Sequence, residues 1–109
     1  MMLATIRMTL PAKKHDEALK ILKSEAKRCK VHPSCLGCHV YEDLQEDNVL
    51  VYEEMWRSEE DLDRRLRSAE YRTMLLVMEM ALKHPEVRFN KISTSMGMEM
   101  IEKARSSMV

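Results

Sequence analysis

The amino-acid sequence predicts an α+β domain in which four antiparallel strands form one sheet and helices cover one of its faces. One observation behind this prediction is the order of the periodic segments, which reads strand, helix, strand, strand, helices, strand. The other is the segment Val49–Trp56, which has the length of a strand but carries apolar residues on both of its faces. A strand of that kind needs a covering layer on each side of the sheet.

The first strand and the first helix are visible as a change in hydrophobic period. Ala4, Ile6 and Met8 alternate with polar residues, which is typical of a strand with one covered face. From residue 14 to residue 30 the apolar residues recur at helical spacing instead, and these are Ala18, Leu19, Ile21, Leu22, Ala26 and Cys29. The opposite face of this helix is expected to be charged, with Lys20, Lys23, Glu25, Lys27 and Arg28.

A hairpin is predicted in the middle of the chain. Its strands are residues 38–44 and Val49–Trp56, and the polar residues 45–48 form the turn between them. Because side chains alternate along a strand, one face of the second strand carries Leu50, Tyr52 and Trp56, and the other carries Val49, Val51 and Met55.

Two helices and a last strand complete the predicted domain. Ser58 followed by Asp61 resembles a capping box and predicts the start of a short helix. A second helix begins after Ser68, is apolar on more than one side, and ends before Pro85. The fourth strand is predicted at residues 87–94.

The complete order is that of the split βαβ, ferredoxin-like arrangement, in residues 1–96. Residues 97–109 are predicted to form a C-terminal tail with a short helix that packs on a partner subunit. Helices from one short chain can cover only one face of the sheet, so a second copy is expected to cover the other face. The predicted assembly is therefore a homodimer that meets through the face with Val49, Val51 and Met55.

Length and charge exclude several classes of protein. The chain has 109 residues, which suit one domain, and equal numbers of basic and acidic side chains, 18 of each. Nucleic-acid binding would lack its usual electrostatic driving force, and no apolar run approaches the ~18 residues needed to span a bilayer. The first residues do not resemble a signal peptide, and an odd number of cysteines does not suit a disulfide framework. The cytoplasm is the expected location.

A cluster of cysteine and histidine residues allows several interpretations. Cys29, His32, Cys35, Cys38 and His39 lie within eleven positions, and the last three match the pattern of covalent haem attachment. The first four offer zinc ligands, and a cysteine nucleophile with a histidine base is a third alternative. The favoured interpretation is that these are buried and loop thiols that hold no metal and no cofactor.

The sequence resembles the antibiotic biosynthesis monooxygenase family from about residue 3 to residue 97. This resemblance implies a ferredoxin-like fold paired as a dimeric α+β barrel. It also implies cofactor-independent oxidation of phenols or hydroquinones to quinones, while a related branch degrades haem. The residues that carry the resemblance are Gly37, Tyr41, Asp43, Glu54, Met55, Trp56, Ser58, Leu62, Leu66, Arg67, Ser68, Tyr71, Pro85, Arg88, Phe89 and Gly97.

The resemblance also implies a site. Trp56 matches the pocket tryptophan of the family, and Tyr52 and Glu54 would be its neighbours on the same strand face. Arg65 would stabilise a phenolate or quinone oxygen, and His39 is a candidate base. The rest of the expected substrate pocket is formed by Tyr71, Met74 and Met78, although methionines at helical spacing also suit core and interface packing.

The sequence departs from the family pattern at three positions. Arg65 and Glu70 replace two histidines that many relatives carry, and Ile6 replaces the asparagine of the haem-degrading branch. Haem degradation is therefore not expected. The hypothesis is a monooxygenase-like enzyme that acts on a small aromatic phenol or quinol, and the alternative is a non-catalytic dimeric module that binds a small ligand or a partner.

Overall fold

The computed structural model describes residues 1–107 and confirms the predicted four-stranded α+β domain. The sheet is antiparallel throughout, with the strand order β2-β3-β1-β4. Short 3-10 turns precede α1 and α3. The elements are β1 (Met2–Thr9), α1 (His15–Lys30), β2 (Cys35–Glu42), β3 (Val49–Trp56), α2 (Glu59–Arg67), α3 (Arg72–Glu79), β4 (Glu86–Lys91) and α4 (Met98–Ser106).

The helices lie on one face of the sheet, as the alternation of β1 predicts. Every second residue of β1 is buried on this face, and Ile6 stands opposite Tyr52 of β3. Helix α1 covers β2 and β3, and α3 packs beside α1. The core between the sheet and the helices therefore includes Met2, Ala4, Ile6, Met8, Leu22, Leu50, Tyr52, Trp56, Met74 and Val77.

The buried face of α1 contains one charged residue that was assigned to the polar face from the sequence. Glu25 is only 1% exposed. It lies three residues after Leu22 and four before Cys29, both of which are buried, so helical geometry places it on the same stripe. The expectation of a uniformly charged outer face was therefore wrong at Glu25, because residue type was given more weight than position.

Several predicted boundaries differ from the observed ones. Strand β2 begins at Cys35 rather than residue 38, because a register irregularity between Cys35 and Gly37 allows pairing with β3 to continue past Gly37. Strand β4 ends at Lys91, opposite Met2, where β1 itself begins. Helix α3 ends at Glu79. Its residues Leu75 and Leu76 are exposed, so in a single chain α3 is not buried on more than one side.

The start of α2 is confirmed as a capped helix. The Ser58 hydroxyl accepts a hydrogen bond from the backbone N–H of Asp61 at 3.1 Å and donates one to the Asp61 carboxylate at 2.9 Å. This arrangement satisfies one of the free N–H groups at the helix N-terminus. It also fixes the direction in which α2 leaves β3, directly after Trp56.

The second face of the sheet, which we call the open face, is not covered by any helix within residues 1–107. Val51 and Met55 are half-buried there, whereas Val49 at the strand end is already buried. Covering of this face by a second copy stays a prediction. None of the helices within residues 1–107 is long and apolar enough to cross a lipid bilayer.

Candidate functional site

The centre of the candidate site is a buried carboxylate on β3. Glu54 is 2% exposed and shares the helix-covered face with Tyr52 and Trp56. Its oxygen Oε1 accepts a hydrogen bond from the indole Nε1–H of Trp56 at 2.9 Å. Its oxygen Oε2 accepts one from the Tyr52 hydroxyl at 2.7 Å. The carboxylate thus holds both aromatic side chains in fixed orientations.

The charge of Glu54 is balanced by an arginine from α2. Arg65 is 6% exposed, and its Nε and Nη2 atoms lie 3.1 Å from Oε1 and 2.9 Å from Oε2 of Glu54. The Nη2 atom also donates to Oε1 of Glu25 at 2.8 Å. Arg28 contacts the other oxygen of Glu25 at 2.6 Å. Two carboxylates therefore face two guanidinium groups beneath α1 and α2.

Burial alone would lower the pKa of Arg65, since it penalises the charged form. The hydrogen bonds and the charge of Glu54 outweigh burial, and the pKa of Arg65 lies above its ordinary value. Arg65 is thus a permanent cation in this network. Losing it would leave buried negative charge without compensation, which is strongly destabilising.

Arg65 also borders a cleft that reaches the surface. The cleft has a volume of about 320 Å³ and is lined by His32, Pro33, Ser34, Trp56, Asp61, Arg64, Arg65 and Ser68. The Nη1 atom of Arg65 has no hydrogen bond among the described residues, while Nε and Nη2 are occupied by the two glutamates. The described part of the chain contains no buried side-chain nitrogen or oxygen without a partner, so Nη1 keeps some access to solvent and is the Arg65 nitrogen left for a ligand.

The walls of this cleft combine an aromatic surface with basic groups. The His32 ring lies 5.9 Å from the Trp56 indole, measured between ring centroids. Arg64 contributes a second guanidinium, which is hydrogen-bonded to Asp61 at 3.1 Å. An aromatic wall, a cationic nitrogen and an imidazole suit a planar ligand that carries an ionisable hydroxyl.

A line of hydrogen bonds continues from Glu54 to β2. The Cys38 thiol donates to the Tyr52 hydroxyl at 3.0 Å, and Tyr52 donates to Glu54. Burial, together with the charge of Glu54, raises the pKa of Tyr52 well above its ordinary value. Tyr52 therefore stays protonated and serves as a donor to Glu54, and it is not a base.

The cysteine cluster is only partly brought together by the fold. The donor atoms of Cys29, Cys38 and Glu54 lie within 4.8 Å of one another, and all three residues are buried. The Cys29 thiol has a raised pKa because of its contact with Cys38 and its burial. Cys35 donates to a backbone carbonyl at 3.4 Å, while the His32 ring packs near Trp56. The four residues weighed as zinc ligands do not form one compact set.

The predicted site residues fall into two groups. Tyr71 is buried beneath Arg65, whose Cζ atom lies 5.1 Å from the centroid of the tyrosine ring. Burial raises the pKa of Tyr71 to about 12. Met74 is fully buried in the core and Met78 is half-buried beside it. His39 lies on the open face opposite Glu53, and its ring lies 6.0 Å from that of Tyr41. Within one chain, the fold therefore assembles Tyr52, Glu54, Trp56, Arg65 and Tyr71, but not His39.

Two residues of the site were missed by the sequence analysis. His32 was considered only as a metal ligand or as the base of a cysteine nucleophile, yet its ring borders the cleft beside Trp56. Glu25 was placed on the outer face of α1, yet it contacts Arg65. A signal for Glu25 was present, since it interrupts an otherwise apolar stripe. No signal places the loop of His32 next to Trp56.

We expect Arg65→Met to lower the free energy of unfolding by about 3–5 kcal/mol, because it leaves Glu25 and Glu54 buried without their shared cation. Urea denaturation measures this loss.

The matched control is Arg64→Met on the same helix, whose guanidinium is mostly exposed and whose removal should cost far less. If Arg65→Met does not fold, Arg65→Lys and the double variant Arg65→Met/Glu54→Gln give measurable proteins, and the double variant should recover part of the loss. A loss below about 1 kcal/mol would contradict the network.

Comparison with known proteins shows which family this chain belongs to. No curated protein matches the sequence at a significant level. A Deinococcus radiodurans protein assigned to antibiotic biosynthesis monooxygenases superposes with a TM-score of 0.80 and 13% identity over 89% of this chain and 97% of its own. A conserved Methanosarcina mazei protein gives 0.76 and 22% identity over 83% and 90% of the two chains. SnoaB of Streptomyces nogalater, a cofactor-independent oxygenase, gives 0.73 and 13% identity over 86% and 94% of the two chains.

At these identities the solved structures establish the fold alone. The family model for antibiotic biosynthesis monooxygenases matches residues 1–75, which contain β1 to β3, α1, α2 and most of the site around Glu54. The chain therefore belongs to the antibiotic biosynthesis monooxygenase family.

Proposed function

We propose that this chain is a cofactor-independent, monooxygenase-like enzyme that oxidises a small aromatic phenol or quinol in the cleft beside Trp56. The observation that carries the proposal is that three residues of suitable chemistry line one cleft, namely Trp56, Arg65 and His32. Family membership supports the reaction class, and the neighbouring oxygenase from Streptomyces nogalater has the same fold.

The proposed reaction begins with loss of a proton from the substrate hydroxyl. His32 is the proposed base, since it borders the cleft and histidine is the side chain that most often acts as a general base. Arg65 then holds the phenolate oxygen through Nη1. The electron-rich ring reduces dioxygen directly. One oxygen atom enters the ring and the other leaves as water, so a phenol and dioxygen give a quinone and water.

The glutamates act indirectly in this proposal. Glu54 and Glu25 occupy Nε and Nη2 of Arg65, which leaves Nη1 as the atom that can meet a ligand. Glu54 also fixes the plane of the indole through Nε1. Because these contacts exist before a ligand arrives, little reorganisation is needed when negative charge develops on the substrate. Tyr71 supports Arg65 from below, and the proposed role of Met74 and Met78 is to shape the apolar interior.

The sequence and the geometry suggest different residues for the base that removes the proton. His39 was the candidate from the sequence, but it lies on the open face with Tyr41. His32 borders the same cleft as Trp56 and Arg65. We therefore propose His32 for proton removal, and the variant comparison below tests both histidines.

A non-catalytic module that binds a small aromatic ligand is the second candidate. It is favoured by the engagement of Arg65, since most of the donors on its guanidinium already serve Glu54 and Glu25. Such a module would bind a phenol and show a higher melting temperature with it, without consuming oxygen.

We also propose that the protein is a homodimer that meets through the open face. The half-buried Val51 and Met55 on that face support the proposal, because no helix of the described chain covers them. A cytoplasmic location is part of the proposal, and the three free thiols fit a reducing compartment.

The reaction predicts oxygen consumption with at least one member of a panel of phenols and hydroquinones. In the presence of an active substrate, His32→Gln should lower kcat by about 10²–10⁴-fold, the usual contribution of a general base. Trp56→Phe should lower kcat/KM, because the cleft loses part of its wall and Glu54 loses a donor. The matched control is His84→Gln, an exposed histidine after α3. An oxygen electrode measures the rates, and ¹⁸O₂ labelling identifies the inserted atom.

Two results would contradict this assignment. If the wild type is inactive on the whole panel but its melting temperature rises with a phenol, the binding module is correct. If His39→Gln loses activity while His32→Gln keeps it, the base lies on the open face and the proposed cleft chemistry is wrong.

The dimer predicts a specific effect of charge on the open face. Val51→Asp should weaken self-association by about 100-fold or more, because the symmetric interface would have to take the added carboxylate of each copy out of water, even with Arg7 opposite it on β1. Analytical ultracentrifugation at micromolar concentration measures the change. Leu44→Asp is the control, since Leu44 is 97% exposed in the hairpin turn. A Val51→Asp protein that stays as dimeric as Leu44→Asp would rule out this interface.

A further inference from the structure

The C-terminal helix α4 has an apolar strip against which none of the described residues packs. All nine residues of α4 are exposed. The radius of gyration is 16.4 Å, whereas a compact chain of this length would have about 13 Å. The longest dimension is 53 Å. Helix α4 therefore projects from the domain instead of packing on it. Its apolar strip has Ile101 and Ala104 in the middle and Met98 and Met100 at the two edges.

A groove on the domain offers an apolar surface to such a helix. It lies between α2 and β4 and has a volume of about 800 Å³. It exists because the helical layer does not reach β4, whose residues are all exposed. The apolar side chains that line the groove are Met1, Met2, Leu62, Leu66 and Phe89.

Some charges at the groove remain available to α4. Glu59 pairs with Lys91 at 4.0 Å and Asp63 pairs with Arg67. Glu60 and Arg57, which also line the groove, have no ion pair among the described residues. On α4, Glu102 and Arg105 are three residues apart and lie on the same flank of the helix. A helix seated in this groove could therefore offer Arg105 to Glu60 and Glu102 to Arg57.

We infer that α4 of one copy docks in the groove between α2 and β4 of a second copy. The helix α4 of the same chain is a poorer occupant of the groove. Strand β4 ends at Lys91, which borders the groove, yet α4 projects away from the domain instead of folding back into it. The exchange is reciprocal in a symmetric dimer, so each groove receives one helix. The inference rests on the proposed homodimer and adds a second contact to the one through the open face.

The docked helix would also cover the flank of α2 that borders the groove. The groove is bordered by Leu62 and Leu66, and the cleft with Trp56 is bordered by Arg65, which lies next to Leu62 on the buried face of the same helix. Seating α4 on the groove would hold α2 in place. Arg65, which reaches Glu54 from α2, would thereby be positioned by the partner's C-terminal helix.

Photo-cross-linking tests this inference directly. Benzoylphenylalanine is placed at Ile101, and the labelled chain is co-refolded with ¹⁵N-labelled wild-type protein, so that mass differences distinguish links within a chain from links between chains. We expect links between chains, on peptides that contain Leu62, Leu66 or Phe89. Links only within one chain, or between chains at other peptides, would overturn the inference.

A second measurement separates this inference from the dimer itself. In the wild-type dimer, trypsin should cleave after Lys103 at least tenfold more slowly than in the dissociated Val51→Asp protein. Phe89→Asp should restore fast cleavage while the open-face dimer persists, and Leu44→Asp should not. A wild type that is dimeric by sedimentation but cleaved as fast as Val51→Asp would reject α4 docking and leave the open-face dimer intact. Oxygen uptake, measured separately, reports on the proposed function.

Discussion

The whole arrangement depends on one buried charge. Glu54 lies in the middle of the sheet's covered face, where an unpaired carboxylate would be strongly unfavourable. It is stable there because Arg65, Trp56 and Tyr52 all donate to it. These contacts require α2 to return over β3 directly after Trp56, and the Ser58 cap sets that direction. The same requirement brings Glu25 inward on α1, since Arg65 meets both carboxylates.

Strand patterns made most of the fold predictable. Alternation along β1 and β3 was sufficient to place Tyr52, Glu54 and Trp56 on one face, because a period of two leaves no choice. The site was less predictable. Glu25 follows the apolar stripe of α1 but was judged by its charge, and His39 could not be assigned to a face until the pairing with Glu53 was known. His32 lies in a loop, where no period applies, so its position beside Trp56 depends on tertiary contacts.

Helix α2 borders both the cleft and the groove. Arg65 lines the cleft with Trp56, and Leu62 and Leu66 line the groove beside β4. A rigid α2 would keep the Arg65 guanidinium at the cleft, and a mobile α2 would not. Arg65 gives the site a fixed positive charge, whereas a histidine there would be a group that titrates near neutral pH.

The central claim is that a phenol binds beside Trp56 with its oxygen on Arg65. Trp56 is the only tryptophan in the chain, so its fluorescence reports on this cleft alone. The most direct measurement is an anaerobic titration with a substituted hydroquinone, followed by tryptophan fluorescence in the wild type and in Arg65→Lys. The account predicts saturable quenching in the wild type and an affinity about tenfold weaker in Arg65→Lys, which corresponds to one charged hydrogen bond. Quenching that does not saturate, or equal affinities in both proteins, would contradict it.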